Sequence, residues 1–75
     1  MKTYIFKIKD KKEIRKLLNG STIGEKAEEI GVSRSYLSRV FNGWNGCSKF
    51  CAYAITKSLD SNKEINDLFE IKTII

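Results

Sequence analysis

Apolar residues recur every three or four positions through the middle of the chain, whereas they partly alternate with polar residues at its two ends. The first pattern is typical of helices that bury one face, and the second is typical of short strands. The spacing predicts five helices, at about Lys11–Leu18, Ile23–Ile30, Arg34–Phe41, Ser48–Leu59 and a short one ending at Leu68 or Phe69. We therefore expect a mainly all-α domain.

Residue pairs with the spacing of a capping box open three of these helices. In such a box the N-cap side chain accepts from the backbone three residues on, and a Glu there reaches back. The pairs are Asp10 with Glu13, Thr22 with Glu25, and Ser61 with Glu64. Asn19-Gly20, Gly31 and Asn42-Gly43 mark helix ends, since Gly and Asn adopt the left-handed backbone.

The two ends of the chain have strand composition. Thr3–Lys9 and Phe69–Ile75 are rich in β-branched and aromatic residues. One economical interpretation pairs them as a short two-stranded antiparallel ribbon, which must lie on the helices or extend across a dimer because an isolated pair is marginal. The alternative is that the last residues are frayed or helical.

The segment from Ile30 to Val40 predicts the end of one helix, a sharp turn and the start of another. Gly31 suits the turn because glycine takes a positive φ without steric cost. Ser33 is a favourable N-cap for the second helix. That helix has one apolar face and an opposite face of Ser and Arg, the residue types that pair with guanine and phosphate in the DNA major groove.

Length and charge narrow the class of protein. Seventy-five residues make one small domain, 1–75, without an apolar run long enough for a membrane span or a signal-peptide pattern, so we expect a cytoplasmic protein.

The net charge is +5, and residues 1–16, with seven basic and two acidic side chains, account for all of it. A basic domain favours polyanions, although a solvated lysine-rich surface is equally compatible. Such a surface would contain Lys7, Lys9, Lys11, Lys12, Arg15 and Lys16.

The remaining distinctive side chains are interpreted first as core. Trp44 is expected to fill the gap between the third and fourth helices, with a wedge against DNA or a partner as the alternative. Cys47 and Cys51 are expected on one helix as buried thiols, and without His or further Cys we expect no metal or cofactor. On the fourth helix the apolar stripe is predicted to contain Phe50, Cys51, Ala54, Ile55 and Leu59. Tyr53, Leu68 and Phe69 are also interpreted as core, and any of these side chains left exposed on the fourth or fifth helix becomes a candidate for a dimer interface.

Helices two and three have the spacing Ala27, Ile30, Gly31, Val32, Leu37 and Val40, which is that of a helix-turn-helix. Together, TIGEKAEEIGVSRSYLSRVFNG, FNGWNGCSKFCAYAITKSL and EINDLFEI resemble the Cro/CI-type (XRE-like) phage repressor family. The resemblance spans about Lys12 to Ile71. It implies a five-helix lambda-repressor-like DNA-binding domain. The family often has Gln at Ile23 and an apolar residue at Lys26, whose stem we expect along the core.

The resemblance also implies a set of DNA-contacting residues. Base contacts would come from Arg34, Ser35, Ser38 and Arg39. Contacts to the DNA backbone would come from Thr22, Ser33, Tyr36, Asn42, Gly43 and Asn45. For Tyr36, contact with a thymine methyl and packing within the protein are further interpretations.

These expectations favour a sequence-specific transcriptional regulator, phage or mobile-element derived, that binds double-stranded DNA as a homodimer on a palindromic operator. The alternative is a helix-turn-helix-fold protein-interaction module, antitoxin-like or an inhibitor of a partner protein. An enzyme is not expected, because the chain has no His and no catalytic triad or clustered carboxylate pair. Neither a membrane nor a small-molecule substrate is expected as a partner.

Overall fold

The described part of the chain in this computed structural model is residues 3–74, with side chains described for residues 4–73. Met1 and Lys2 of the predicted domain, and Ile75 of the predicted terminal strand, lie outside it. The elements in chain order are β1 (Thr3–Ile8), α1 (Lys11–Leu18), α2 (Ile23–Ile30), α3 (Arg34–Phe41), α4 (Lys49–Leu59), α5 (Ile65–Leu68) and β2 (Phe69–Ile74). The described chain is therefore mainly helical with one small sheet. None of its described helices is long and apolar enough to cross a bilayer.

The two terminal strands form an antiparallel ribbon that lies on the helices. Phe6 is opposite Ile71, and Ile8 is opposite Phe69. Phe6, Ile8 and Phe69 are buried in the same core as the helices. Phe6 and Cys47 also exchange two backbone hydrogen bonds of 2.8 Å, which attach β1 to the segment before α4. The predicted ribbon is confirmed, and the frayed or helical alternative is wrong for the residues through Ile74.

The bounds of α1, α2 and α3 match the sequence prediction at both ends. Thr22 and Glu25 form the complete capping box at the start of α2. At the start of α1 the Asp10 carboxylate accepts from the Lys12 N–H at 2.9 Å. Glu13 instead has a carboxylate oxygen 3.9 Å from Lys63 Nζ, so the predicted box with Asp10 is replaced by a simple cap.

The turn between α2 and α3 is tight and is held by backbone hydrogen bonds. Gly31 has a φ of 91°, and the N–H groups of Gly31 and Val32 both donate to the Ala27 carbonyl, at 2.8 and 3.0 Å. Ala27 is buried, which fits a small residue where two helices approach. The Ser33 hydroxyl accepts from the Tyr36 N–H at 3.1 Å and so begins α3 as predicted.

The buried face of α4 differs from the predicted stripe. Ala52, Ile55 and Thr56 are fully buried, whereas Phe50 is 89% exposed and Tyr53 is 54% exposed. The core prediction for these two aromatics is therefore wrong. The buried threonine is tolerated because its hydroxyl donates to the Ala52 carbonyl at 2.8 Å, so its polar group is satisfied within the helix.

Trp44 does not fill the gap between α3 and α4. Its side chain is 72% exposed, and the buried residues nearest to it in sequence are Phe41 and Cys47. Both of these residues belong to the core, whereas the indole between them in the chain lies outside it. The prediction of a buried Trp44 is wrong.

Two further predictions about the second half of the chain are corrected. Cys47 precedes α4 and pairs with β1, so only Cys51 is helical; Cys47 is buried, whereas Cys51 is partly exposed. The start of α5 does not use Ser61. Its first residue is Ile65, and the Asp67 carboxylate accepts from the Glu64 N–H at 2.8 Å.

Candidate functional site

The candidate site is the solvent-facing side of α3. Leu37, Val40 and Phe41 bury the opposite side in the core. The four predicted base-contacting residues are Arg34, Ser35, Ser38 and Arg39. At about 100° per residue, they cover a continuous arc of about 140° around the helix. Of these four, Arg34, Ser35 and Arg39 are exposed and Ser38 is partly buried. The structure thus brings together the residues that the sequence grouped for base contacts.

Trp44 belongs to the same surface. Arg34, Ser35, Ser38, Arg39 and Trp44 line one open depression of about 410 Å³. The Trp44 N–H donates to the Arg39 carbonyl at 3.0 Å, which holds the start of the loop on the last turn of α3. Sequence reasoning gave this indole a core role, and no local pattern distinguishes an exposed loop tryptophan from a buried one.

A second depression lies on the α2 side of Arg34. It is lined by Thr22, Ile23, Gly24, Arg34 and Ser38, so Arg34 and Ser38 face both depressions. A Cβ at Gly24 would lie 3.7 Å from Arg34 Cδ, which is ordinary van der Waals contact. The stem of Arg34 therefore crosses over the first turn of α2. This places the predicted Thr22 beside the arginine, although its hydroxyl already serves the capping box.

A basic cluster lies at the other end of this surface. We name Lys9, Lys11, Lys12 and Arg15 the α1 basic cluster; they line one depression together with Ile8, Asp10, Asn42 and Gly43. Asn42 and Gly43 follow α3 directly, so the predicted loop contacts meet the amino-terminal lysines. Lys9 also donates to the Asn66 carbonyl, which fixes one member of the cluster.

The backbone of the loop after α3 is already hydrogen-bonded within the protein. The N–H groups of Gly43 and Asn45 donate to the carbonyls of Val40 and Arg39, at 3.1 and 3.3 Å. The side-chain amide of Asn42 donates to the Ser38 carbonyl at 2.9 Å. A ligand at this loop would therefore meet mainly side chains, and the backbone role predicted for Gly43 requires an N–H that is already donated.

Both arginines of α3 carry charges that are available to a ligand. Within residues 4–73 the ion pairs join Lys26 to Glu29, Lys63 to Glu13 and Lys72 to Glu70. None of these pairs includes Arg34, Arg39 or a member of the α1 basic cluster. Lys26 also donates to the Ser58 carbonyl at 3.0 Å while its side chain is only 15% exposed, as expected for a stem that lies along the core.

Tyr36 lies at the edge of the α3 surface and turns towards α4. Its side chain packs against the core, and burial together with a hydrogen bond to Cys51 raises the pKa of its hydroxyl to about 12. Among the interpretations of Tyr36, packing within the protein is the one that these contacts support. Ser33 is exposed, and its hydroxyl hydrogen remains available beside its capping role.

The described chain is thus a small, mainly helical domain with a two-stranded antiparallel sheet. One of its surfaces places guanidinium, hydroxyl and indole groups side by side. Guanidinium groups bind anions, hydroxyl groups donate to hydrogen-bond acceptors, and the indole packs against apolar groups. Comparisons of the chain with protein-family models, with curated proteins and with solved structures find no match.

Proposed function

We propose that this protein is a sequence-specific DNA-binding transcriptional regulator in which α2 and α3 act as a helix-turn-helix. The observation that carries the proposal is the α3 surface, where Arg34 and Arg39 are exposed and take no part in the ion pairs of residues 4–73. In the proposal, α3 enters the major groove of double-stranded DNA with this surface towards the base edges.

The chemistry of the surface matches what that groove displays. A major groove about 12 Å wide admits one α-helix, and arginine pairs bidentately with O6 and N7 of guanine. Ser35 and Ser38 lie between the arginines on the same arc and can each donate to a base acceptor. The residues proposed to read sequence are therefore Arg34, Ser35, Ser38 and Arg39.

The DNA backbone has proposed contacts on both sides of α3. The α1 basic cluster and Asn42 lie beyond its carboxyl end, and Thr22 lies beside its amino end. Lysine and arginine contacts to phosphate release counterions and give affinity that falls with salt. In the proposal these contacts orient the domain, whereas the α3 contacts select the sequence.

The proposed regulator acts as a homodimer on a palindromic operator. Support comes from apolar side chains that the described fold leaves exposed: Tyr4, Phe50, Tyr53 and Ile71. Tyr4 and Ile71 line one depression with Phe6, Ser48 and Lys49, directly before Phe50 in the chain. A two-fold dimer would present its two α3 helices to half-sites about 34 Å apart.

The test is selection of bound genomic fragments with the purified protein, followed by footprinting and salt-dependent affinity measurements. We expect Arg34→Ala to weaken operator binding by about 1–3 kcal/mol and to relax the preference at one base position. Lys72→Ala removes the same charge from β2, outside the α3 depressions, and should leave that preference intact. Lys12→Ala should weaken all DNA sequences alike and flatten the salt dependence by about one unit of slope.

Two outcomes would contradict the proposal. An Arg34→Ala protein that keeps the wild-type base preference would contradict the base contact proposed for Arg34. A wild-type protein without salt-sensitive DNA binding, which instead co-purifies with a protein partner, would favour a protein-interaction module.

A further inference from the structure

We propose that Trp44 is a DNA-contacting residue that recognises a thymine through the 5-methyl group of the base. This inference rests on the proposed DNA binding and adds a residue that is not on α3. The methyl group of thymine is the apolar group that the major groove presents to a protein. The indole of Trp44 is the large apolar group of the α3 depression, where it stands beside the two arginines.

The exposure of Trp44 is the first observation that supports this role. At 72% exposed, the indole leaves most of its apolar surface in water. Burial of a large apolar side chain stabilises a protein, and the isolated fold forgoes most of this stabilisation at Trp44. Tryptophan is enriched where binding energy concentrates in interfaces, because it brings a large rigid surface at little entropic cost.

The position of Trp44 is held before any ligand arrives. Gly43 has a φ of 78°, which turns the chain sharply after α3. The N–H groups of Trp44 and Asn45 then both donate to the Arg39 carbonyl, at 3.0 and 3.3 Å. The residue therefore moves with the last turn of α3 and keeps a fixed place relative to Arg39. A side chain on a backbone fixed in this way loses less freedom on binding.

The neighbours of Trp44 identify DNA as its ligand. Its depression combines two guanidinium groups and two hydroxyls with the indole. Guanidinium groups without ion pairs among the described residues would repel one another in a contact between two copies of the same surface. Base acceptors, phosphate oxygens and a thymine methyl satisfy all three kinds of group at once.

The only tryptophan of the chain is also its own reporter. We expect its emission to shift to shorter wavelength and to be quenched as the selected operator is titrated in, with the same midpoint as a gel-shift titration. A spectrum that changes with protein concentration in the absence of DNA, and not with operator, would instead assign Trp44 to a contact between protein copies and would overturn the proposal.

Two substitutions of Trp44 distinguish an apolar contact with DNA from a role of the indole N–H or a role in stability. Trp44→Ala should weaken operator binding about tenfold or more, as expected for an aromatic interface residue, without lowering the thermal stability of the free protein. Trp44→Phe keeps an aromatic surface but removes the indole N–H, so it should restore most of the affinity. Unchanged affinity of Trp44→Ala would overturn the inference while leaving the proposed function intact.

The methyl group itself is tested on the DNA. Thymines of the operator are replaced one at a time by deoxyuridine, which removes only the 5-methyl group. We expect one position in each half-site where this change weakens binding by the wild type several-fold and has no effect on Trp44→Ala, which is the signature of direct coupling. No such position would overturn the thymine assignment. Failure of the wild type to bind any DNA would instead overturn the proposed function.

Discussion

Gly46 allows the loop before α4 to approach β1 closely. A Cβ at this position would lie 2.5 Å from Ile5 Cδ1 and 2.9 Å from Ile5 Cβ. The second atom is fixed to the strand backbone, so rotation of the side chain cannot relieve the contact. Gly46→Ala should therefore lower the free energy of unfolding by about 1–3 kcal/mol, as overpacking does elsewhere. Urea unfolding followed by circular dichroism measures this change.

Gly24→Ala is the matched control for that substitution. Its Cβ would lie 3.7 Å from Arg34 Cδ and 3.8 Å from Thr22 Oγ1, both ordinary contacts. Alanine also restricts the unfolded chain and favours the helix, so this variant should gain about 0.4–1 kcal/mol. Equal effects of the two substitutions would show that the approach of Gly46 to Ile5 is not what requires glycine.

Because of Cys47, we expect the free energy of unfolding to depend on pH in the alkaline range. Burial, followed by the adjacent Cys51, raises the pKa of its thiol from 9.0 to about 12. Above pH 9.0 the unfolded chain loses this proton while the folded chain keeps it, so stability falls as the pH rises towards 12. Below that window both states are protonated and Cys47 contributes no pH dependence.

The measurement is urea unfolding under reducing conditions at pH 7.5 and at pH 10. We expect the wild type to lose about 1 kcal/mol more than Cys47→Ala between the two conditions, since one pKa unit corresponds to about 1.4 kcal/mol. Both proteins contain Tyr36, so the effect of its raised pKa cancels in the comparison to first order. Parallel losses in the two proteins would contradict the raised thiol pKa.

At the scale of elements, the first three helices were predictable because their ends are determined by residues close together in the sequence. Thr22, Glu25, Gly31 and Ser33 act through hydrogen bonds that span at most five residues. The exposed arc of α3 followed from the same helical periodicity, so the grouping of Arg34 with the serines and Arg39 was also predictable. Whether that arc binds DNA is a separate question, which the proposed experiments address.

The face of α4 and the place of Trp44 were not predictable in this way. Hydropathy favours Phe50 over Thr56 as a core residue, yet Thr56 is buried and Phe50 is 89% exposed. The choice depends on how closely α4 approaches its neighbours, where the small Ala52 and the self-satisfied Thr56 fit. Such distances between elements are set by the whole core. Local sequence pattern carries no information about them.

The two predicted capping boxes at Thr22 and Ser61 give a test at this scale. Thr22→Ala removes the acceptor of the Glu25 N–H bond of 3.1 Å and should cost about 1 kcal/mol of unfolding free energy. Ser61→Ala, at an exposed residue outside α5, should change stability by less than about 0.5 kcal/mol. Thermal and urea unfolding of both variants measure the difference, and a larger loss at Ser61 would contradict the cap assignment.

At the scale of the whole molecule, the α3 arginines share their depression with the exposed Trp44 but not with the exposed apolar side chains of the ribbon. The α1 basic cluster shares a depression with Asn42 and Gly43, and neither this cluster nor the α3 arginines share one with Tyr4 or Ile71. The apolar exposure includes Phe50, in the first turn of α4, and the Tyr4 and Ile71 end of the ribbon. A protein that binds a polyanion on one surface can therefore associate with a second copy through another.

Phe50→Asp tests that association without disturbing the monomer. Phe50 is 89% exposed in the first turn of α4, where a carboxylate interacts favourably with the helix dipole, so the fold should retain its stability. Sedimentation velocity should show a concentration-dependent dimer for the wild type and an equilibrium at least about tenfold weaker for the variant. Phe50→Leu, which keeps an apolar side chain, should remain dimeric.

The DNA affinity of Phe50→Asp distinguishes a dimer that recognises DNA from a protein–protein contact without a role in recognition. Two linked α3 helices gain affinity because the second half-site is bound at high effective concentration. Phe50→Asp should therefore lose most of its affinity for a full palindrome and little for an isolated half-site. If the variant dissociates but binds both DNAs like the wild type, the protein recognises DNA as a monomer. If it remains dimeric, the interface lies elsewhere and Phe50 is exposed for another reason.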